Sequence, residues 1–328
     1  MVNQTSKVTI VPESEIAGLI TPQTAFDAVE ATFAAMSRRS AYNFPVIREA
    51  IGHADALYGF KSGFDRESLA LGLKSGGYWP ENEARGLTNH QSTVILFDAD
   101  TGRVKALVGG NLLTALRTAA ASAVSIKYLA PKNARVLGMI GAGHQSAFQM
   151  RAAVEHRNFE KVIGWNFHPE MLSRLSETAR DLDLPFESVS LEDLGEQADV
   201  IISITSSFAP LLMDSHVTSS THIACMGTDT KGKQEVEASL LTRATVFTDE
   251  IAQSISIGEA QHAIASNVLK ETHINEIGSV INGDHPGRNT DDEITLFDGT
   301  GVGLQDLAVA RVAVDLAVER GVAREVTF

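Results

Sequence analysis

Gly141-Ala142-Gly143-His144-Gln145-Ser146 directly follows the apolar run from Arg135 to Ile140 and opens a helical stretch. A strand, a glycine turn and a helix in that order are the context of a dinucleotide-binding turn. Gly141 would make the tight turn, and Gly143 would let the backbone approach a pyrophosphate at the positive end of the helix. Ser146 replaces the third glycine of the consensus with another small residue. A plain strand-to-helix turn is the alternative reading. An acidic residue usually ends the second strand when the cofactor is NAD. Here that position holds Asn166, in Trp165-Asn166-Phe167-His168, and the next cation is Arg174. A 2′-phosphate would want an Arg or Lys nearby. Asn166 can share hydrogen bonds with a free ribose, and His168 stands beside it as a second candidate contact. NAD(H) is therefore favoured over NADP(H).

Three charged residues stand where charge is costly. Arg117 lies inside the alanine-rich stretch Leu112 to Leu129, where a charge wants a buried partner. Lys74 ends the apolar strand pattern Leu71-Gly72-Leu73-Lys74. Asp229 sits in the glycine-flanked segment Gly227 to Lys233, where it can exchange a proton with a substrate or simply form the turn. His90 enters the strand Ser92 to Phe97, and a hydrogen-bonded structural role suits it at least as well as a place in a cleft. His262, His273 and His285 have no ligand spacing, so no metal site is expected.

The elements that position these residues alternate. A short helix (Ser14 to Ile20) and a longer one opened by Thr21-Pro22 precede the strands around Lys74 and Ser92, and Asp100-Thr101-Gly102 reads as a hairpin turn. After the helix ending near Pro131 come strands at 135–140, 161–165, 199–204, 222–226 and 244–248, interleaved with helices. That alternation implies a parallel sheet covered on both faces. The tail from Gly303 to Gly321 is again helical. The expected architecture is an α/β chain with a Rossmann dinucleotide-binding domain (121–303) inserted in a discontinuous α+β substrate-binding and dimerisation domain (1–120 plus 304–328).

The chain has 328 residues, 44% of them hydrophobic and 21% charged, ample for two cores. Its net charge of −14 argues against a nucleic-acid partner. Met1 to Thr9 has no apolar signal core, and no apolar run approaches the ~18 residues of a membrane span, so a cytoplasmic protein is expected. Cys225 is the one cysteine, on a buried strand pattern, which fits a reducing compartment.

Several segments resemble the ornithine cyclodeaminase / mu-crystallin family, which also includes an alanine dehydrogenase and imine reductases. They are Leu73-Lys74, Leu113 to Ala120 with Arg117-Thr118, Gly141 to Gln145, Gly227 to Lys233 followed by Glu235, and Thr295 to Asp298. The resemblance implies a homodimer with substrate bound between two domains. It places Arg48, Lys74 and Arg117 at the substrate's α-carboxylate, Asp229 at the acid/base position with Lys74 also in the catalytic set, and Thr300 against the substrate. It places Thr118, His144, Gln145, Thr205, Met226, Gly227 and Lys233 at the cofactor. An α-carboxylate beside an imine suits such a clamp, because Arg offers planar bidentate bonds.

One departure bears on the substrate. Cyclodeaminases carry a glutamate thirteen residues before the strand lysine, where it binds a distal ammonium. The same count back from Lys74 gives Lys61. A cation there repels an ornithine side chain and attracts an anionic one. The expected partner is a small dicarboxylic imino acid, reduced by NADH. The alternatives are a cyclodeaminase-type lyase, an alanine dehydrogenase and a crystallin-like dinucleotide-binding protein.

Overall fold

The computed structural model describes residues 7–327. They fall into two compact units, one from Met1–Arg117 with Val302–Phe328 and one from Thr118–Gly301. The division lies after Arg117 and before Val302, rather than after 120 and before 304.

The first unit is a mixed sheet with helices on one face. Its strands are β1 (Lys7–Val11), β2 (Ala41–Asn43), β3 (Ile47–Ala50), β4 (Leu57–Asp65), β5 (Ala70–Tyr78), β6 (His90–Phe97) and β7 (Val104–Gly109), with a C-terminal strand Arg324–Thr327. The order is C-terminal strand-β1-β7-β6-β5-β4-β2, and β3 also pairs with β4. Only the β1–β7 pair is parallel. Directly opposite residues on antiparallel strands share a face. One face carries Ala70, Val94, Leu96, Ala106 and Val108, all buried. Helices α1 (Glu13–Leu19) and α2 (Pro22–Ser37) precede the second strand, and α2 packs with the C-terminal helix Gly303–Glu319. Thr21 caps α2 by accepting from the Thr24 amide at 3.1 Å, ahead of Pro22 at the first turn. Its buried stripe is Ala25, Phe26, Val29, Phe33 and Met36.

Strand β5 runs on through Ser75-Gly76-Gly77, beyond the expected end at Lys74, because both neighbouring strands keep register with it as far as Tyr78. The whole of β4 has little alternating pattern to announce it, and what makes it a strand is its pairing with β5. Glycines on this hairpin let the C-terminal helix sit close, since a Cβ on Gly72 would lie 2.9 Å from Leu307 Cδ2.

The second unit is a parallel sheet. Its strands are β8 (Val136–Ile140), β9 (Lys161–Trp165), β10 (Phe186–Ser188), β11 (Val200–Ser203), β12 (Phe208–Leu212), β13 (His222–Cys225), β14 (Gln234–Val236), β15 (Thr245–Thr248), β16 (Ile274–Glu276) and β17 (Thr295–Asp298). The main sheet has the order β10-β9-β8-β11-β13-β17-β15-β16, with every pairing parallel, and β12 with β14 forms a small pair beside it. Strand order reverses at β8/β11, the switch point at which doubly wound sheets bind ligands. Helix α3 (Asn111–Leu129) carries the unit boundary, and α4 (Ser146–Val154) follows β8. Near-continuous apolar residues in β8 and β11 fit strands buried on both faces. No described helix is long and apolar enough to cross a membrane.

Gly72→Ala tests the seating of the C-terminal helix, because the added Cβ meets Ile95 O at 2.3 Å as well as Leu307. The variant is expected to lose about 1–3 kcal/mol. A urea midpoint equal to wild type would show that the helix is not held there.

Candidate functional site

Strand register gathers the cations of the first unit. Lys61 is directly opposite Lys74 across β4 and β5, and Arg48 is opposite Gly59, two residues from Lys61 on the same strand. Arg48, Lys61 and Lys74 therefore project from one face, the face that carries the core. His90, opposite Tyr78, is on it too.

Lys74 is 6% exposed, as is Arg117. Between them lies Asp306, fully buried on the C-terminal helix. Its carboxylate stands 3.0 Å from Lys74 Nζ and accepts from Arg117 Nε at 2.9 Å. Gln305 Oε1 accepts from Arg117 Nη1 at 3.3 Å. Burial raises the Asp306 carboxyl, but Arg117 and Lys74 outweigh that and hold it below the usual carboxylate range. Burial, and then the repulsion of Arg117, bring the Lys74 ammonium down to about 7, against the opposing pull of Asp306. Burial with the nearby Lys74 and Arg117 takes His90 down to about 3, so its ring is neutral at physiological pH. The arrangement is a buried cluster of two cations and one carboxylate, with Lys61 directly opposite Lys74.

Asp306 and Gln305 escaped the sequence reading. The signal was available: Asp306 is a carboxylate near the head of a helix otherwise rich in Ala, Val and Leu, the same anomaly that singles out Arg117.

In the second unit, the candidate residues lie where parallel strands end. Gly141 to Gln145 follow β8, Asn166 and His168 follow β9, Thr205 follows β11, Met226, Gly227 and Asp229 follow β13, and Thr300 follows β17. Thr118 is buried on α3. Asn166 pins the glycine turn, since its Oδ1 accepts from the Ala142 amide at 2.9 Å and its Nδ2 donates to the His168 carbonyl at 2.8 Å. One lone pair and one hydrogen of that amide remain for a ligand. Ser146 is more than small, because its hydroxyl donates to the Gly143 carbonyl at 2.7 Å and closes the turn. His144 stacks at a tilt on Phe148, and exposed His168 lies 3.5 Å from Glu170. Gln145 Oε1 is buried without a hydrogen-bond partner beside the turn.

Carboxylates tie these loops together. Glu235 accepts from Ser203 Oγ, the Thr205 amide and the Thr205 hydroxyl through Oε1, and from the Gly227 amide through Oε2, all at 2.7–2.8 Å. Burial raises its carboxyl despite those donors. Glu259 accepts from the Glu235 and Val236 amides, and burial followed by the neighbouring Glu235 pushes it up to about 8. Asp249 accepts from the Thr300 amide and hydroxyl and from the Gly301 amide, so fully buried Thr300 serves the loop after β17. Lys233 Nζ donates to Asp229 Oδ1 at 2.9 Å and to the Gly227 carbonyl at 3.1 Å. Cys225 is buried in β13. No group able to hold a metal ion occurs among the described residues.

The two turn glycines separate fold from ligand. Gly141 has φ +105°, and a Cβ on it would stand 2.6 Å from the Ile204 carbonyl. A Cβ on Gly143 would meet no protein atom within 4 Å. The fold thus needs glycine at 141, while at 143 a side chain would only fill the space over the turn, the cradle a pyrophosphate takes. Gly143→Val is expected to keep its melting temperature and lose NAD binding by calorimetry, whereas Gly141→Val is expected to be destabilised. Undiminished binding in Gly143→Val would make the turn purely structural.

Comparison with known proteins agrees with this arrangement. Residues 7–321 match the model of the ornithine cyclodeaminase/mu-crystallin family. The chain is 70% identical over 317 residues to the iminosuccinate reductase of Paracoccus denitrificans, covering 97% of this chain and 99% of that protein. The crystal structure of the Paracoccus denitrificans iminosuccinate reductase in complex with NAD+ superposes with a TM-score of 0.94 at 69% identity, covering 98% and 100% of the two chains. An archaeal alanine dehydrogenase dimer with bound NAD gives a TM-score of 0.92 at 29% identity, covering 98% and 100%. Glycine turn, reversed strand order and matched relatives converge, and the chain belongs to the ornithine cyclodeaminase/mu-crystallin family.

Proposed function

We propose that this chain is an NADH-dependent imine reductase that converts iminosuccinate to L-aspartate. The observation that carries the reading is the row of Arg48, Lys61 and Lys74 on one sheet face, with Arg117 held beside Lys74. Two carboxylates need cations at two places, and this face offers them. The 70% identity to an iminosuccinate reductase supports the same substrate. Arg48, Lys74 and Arg117 hold the α-carboxylate, and Lys61 takes the β-carboxylate. Asp229 faces the iminium nitrogen as proton carrier, and Thr300 keeps the loop after β17 in shape.

When bound, NADH supplies the hydride. Gly141, Gly143, His144 and Gln145 receive the pyrophosphate at the start of α4, and Asn166 with His168 meets the ribose. Thr118, Thr205, Met226, Gly227 and Lys233 complete the cofactor set. Absence of a cation between Asn166 and Arg174 favours NAD(H) over NADP(H). The protonated imine carbon accepts the hydride at C2, the C=N π pair becomes the nitrogen lone pair, and one proton taken up there gives the ammonium. Asp229 stabilises the iminium and exchanges that proton.

The chain also works as a homodimer in this reading. The sheet face opposite the core bears Leu71, Leu73, Ile95, Phe97 and Leu107, half-buried, with Ile47 46% and Phe60 36% exposed. An apolar face of this breadth suits a second copy, and an alanine dehydrogenase of similar fold is a dimer. The lone cysteine suits a reducing cytoplasm.

Oxaloacetate with ammonium should oxidise NADH, and omission of ammonium should abolish it. Turnover of ornithine without net NADH consumption would instead establish the lyase reading. Lys61→Ala is expected to lower kcat/KM for iminosuccinate roughly 10- to 200-fold, the worth of a charge-assisted contact, and to spare iminopropionate. Equal damage to both substrates would remove Lys61 from the β-carboxylate. Asp229→Asn should keep NADH affinity and lose turnover by ~10²-fold or more.

A further inference from the structure

We infer that Asp306, with Gln305, is the positioning device of the anion receptor: the head of the C-terminal helix grips the two buried cations from behind and aims them outward as one clamp. The inference rests on the reductase reading for the identity of the anion and on geometry for the rest. Lys74 and Arg117 come from different elements, β5 and α3. Side by side and nearly solvent-free, two cations repel strongly. One carboxylate touches both, at 3.0 Å from the ammonium and 2.9 Å from Arg117 Nε. Gln305 takes a second edge of the same guanidinium through Nη1. Asp306 and Gln305 thus hold the guanidinium at Nε and at Nη1.

The helix head is itself fixed. The Gly303 amide donates to Asn43 Oδ1 at 3.0 Å, and a Cβ on Gly303 would stand 2.7 Å from the Ser62 amide nitrogen, so the helix starts hard against the strand that carries Lys61. Lys61, Lys74, Arg117 and Asp306 are thereby placed by one junction. Asp306 is fully buried and acts through Lys74 and Arg117, which makes it a positioning residue. The groups that act on Lys74 include Lys61 from β4, Arg117 from α3 and Asp306 from the helix, with His90 from β6 beside it and Arg48 from β3 acting on His90, and Asp306 is the carboxylate in contact with Lys74. It favours the protonated form of Lys74 against burial and the two cations Arg117 and Lys61. Removing it should let Lys74 lose its proton at lower pH.

The test uses Asp306→Asn, Asp306→Glu and Gln305→Met in the full chain, with succinate as a dicarboxylate probe that contains no imine. For Asp306→Asn, succinate affinity by calorimetry at pH 7 should fall ten-fold or more, and the alkaline loss of affinity should move down by at least about one pH unit. NAD affinity should stay at the wild-type value, and Asp306→Glu should recover most of the loss. Gln305→Met should weaken succinate several-fold and leave the pH limb in place. An unmoved limb in Asp306→Asn, or tighter succinate binding, would overturn the inference. If Asp306→Asn does not fold, wild-type succinate affinity in Gln305→Met overturns it equally. Failure of the wild type to reduce iminosuccinate would sink the reductase reading alone, since the succinate titrations stand without catalysis.

Discussion

Two cations buried within reach of one carboxylate form the constraint on which the first unit depends. Placing Lys74 and Arg117 beneath the sheet's helices without Asp306 would leave like charges in a medium that screens them poorly. With Asp306 between them, and Lys74 protonated, the trio carries one net positive charge. The geometry follows from that need. Glycines at 63 and 72 let Leu304 and Leu307 come close to the hairpin, and that closeness brings Asp306 onto β5. The apolar packing and the charge pairing are consequences of the same helix position.

The second unit solves a different problem with the same tool. Loops leaving parallel strands at the switch point present backbone amides that no neighbouring strand can take. Glu235 collects two such amides and two hydroxyls, Glu259 two more amides, and Asp249 another two. These acids fix the loops after β11, β13 and β17. Burial drives Glu259 and Asp298 upward, to about 8 and about 7, so the rigidity comes with carboxyls poised close to neutral pH. Asp229 differs, being only half-buried and accepting from Lys233 Nζ and the Thr230 hydroxyl.

The residues that announced themselves did so by contrast with their surroundings. The Gly141 turn followed an apolar strand, Arg117 broke an alanine-rich helix, and β8, β9, β11, β13 and β15 read as apolar runs set between helices. The elements that stayed hidden lack that contrast. Strand β4 mixes glycine, aromatics and lysine, and its two faces are told apart only by what β5 lays against them. The acids Glu259 and Asp249 are ordinary in sequence, and their burial becomes visible only once the loops they bind are in place. Asn166 looked like a ribose contact and also turns out to be a bolt on the glycine turn, a role set by a backbone amide twenty-four residues away.

In the proposed reading, the position of Lys61 lets such a frame change substrates without being rebuilt. Lys61 and Lys74 are cross-strand partners, so the residue at 61 stands one strand away from the clamp and on the same face. A charge reversed at that point would, in the proposed reading, alter the far end of the ligand and leave Asp306, Arg117 and the helix head untouched. The chain as a whole carries −14, yet this one face is cationic. At physiological ionic strength the distant acids are screened over about 8 Å, so in the proposed reading a small dianion would respond to the face and not to the total. Selectivity at this site then depends on the strand register that sets Lys61 beside Lys74, which a single-residue slip would turn to the other side of the sheet.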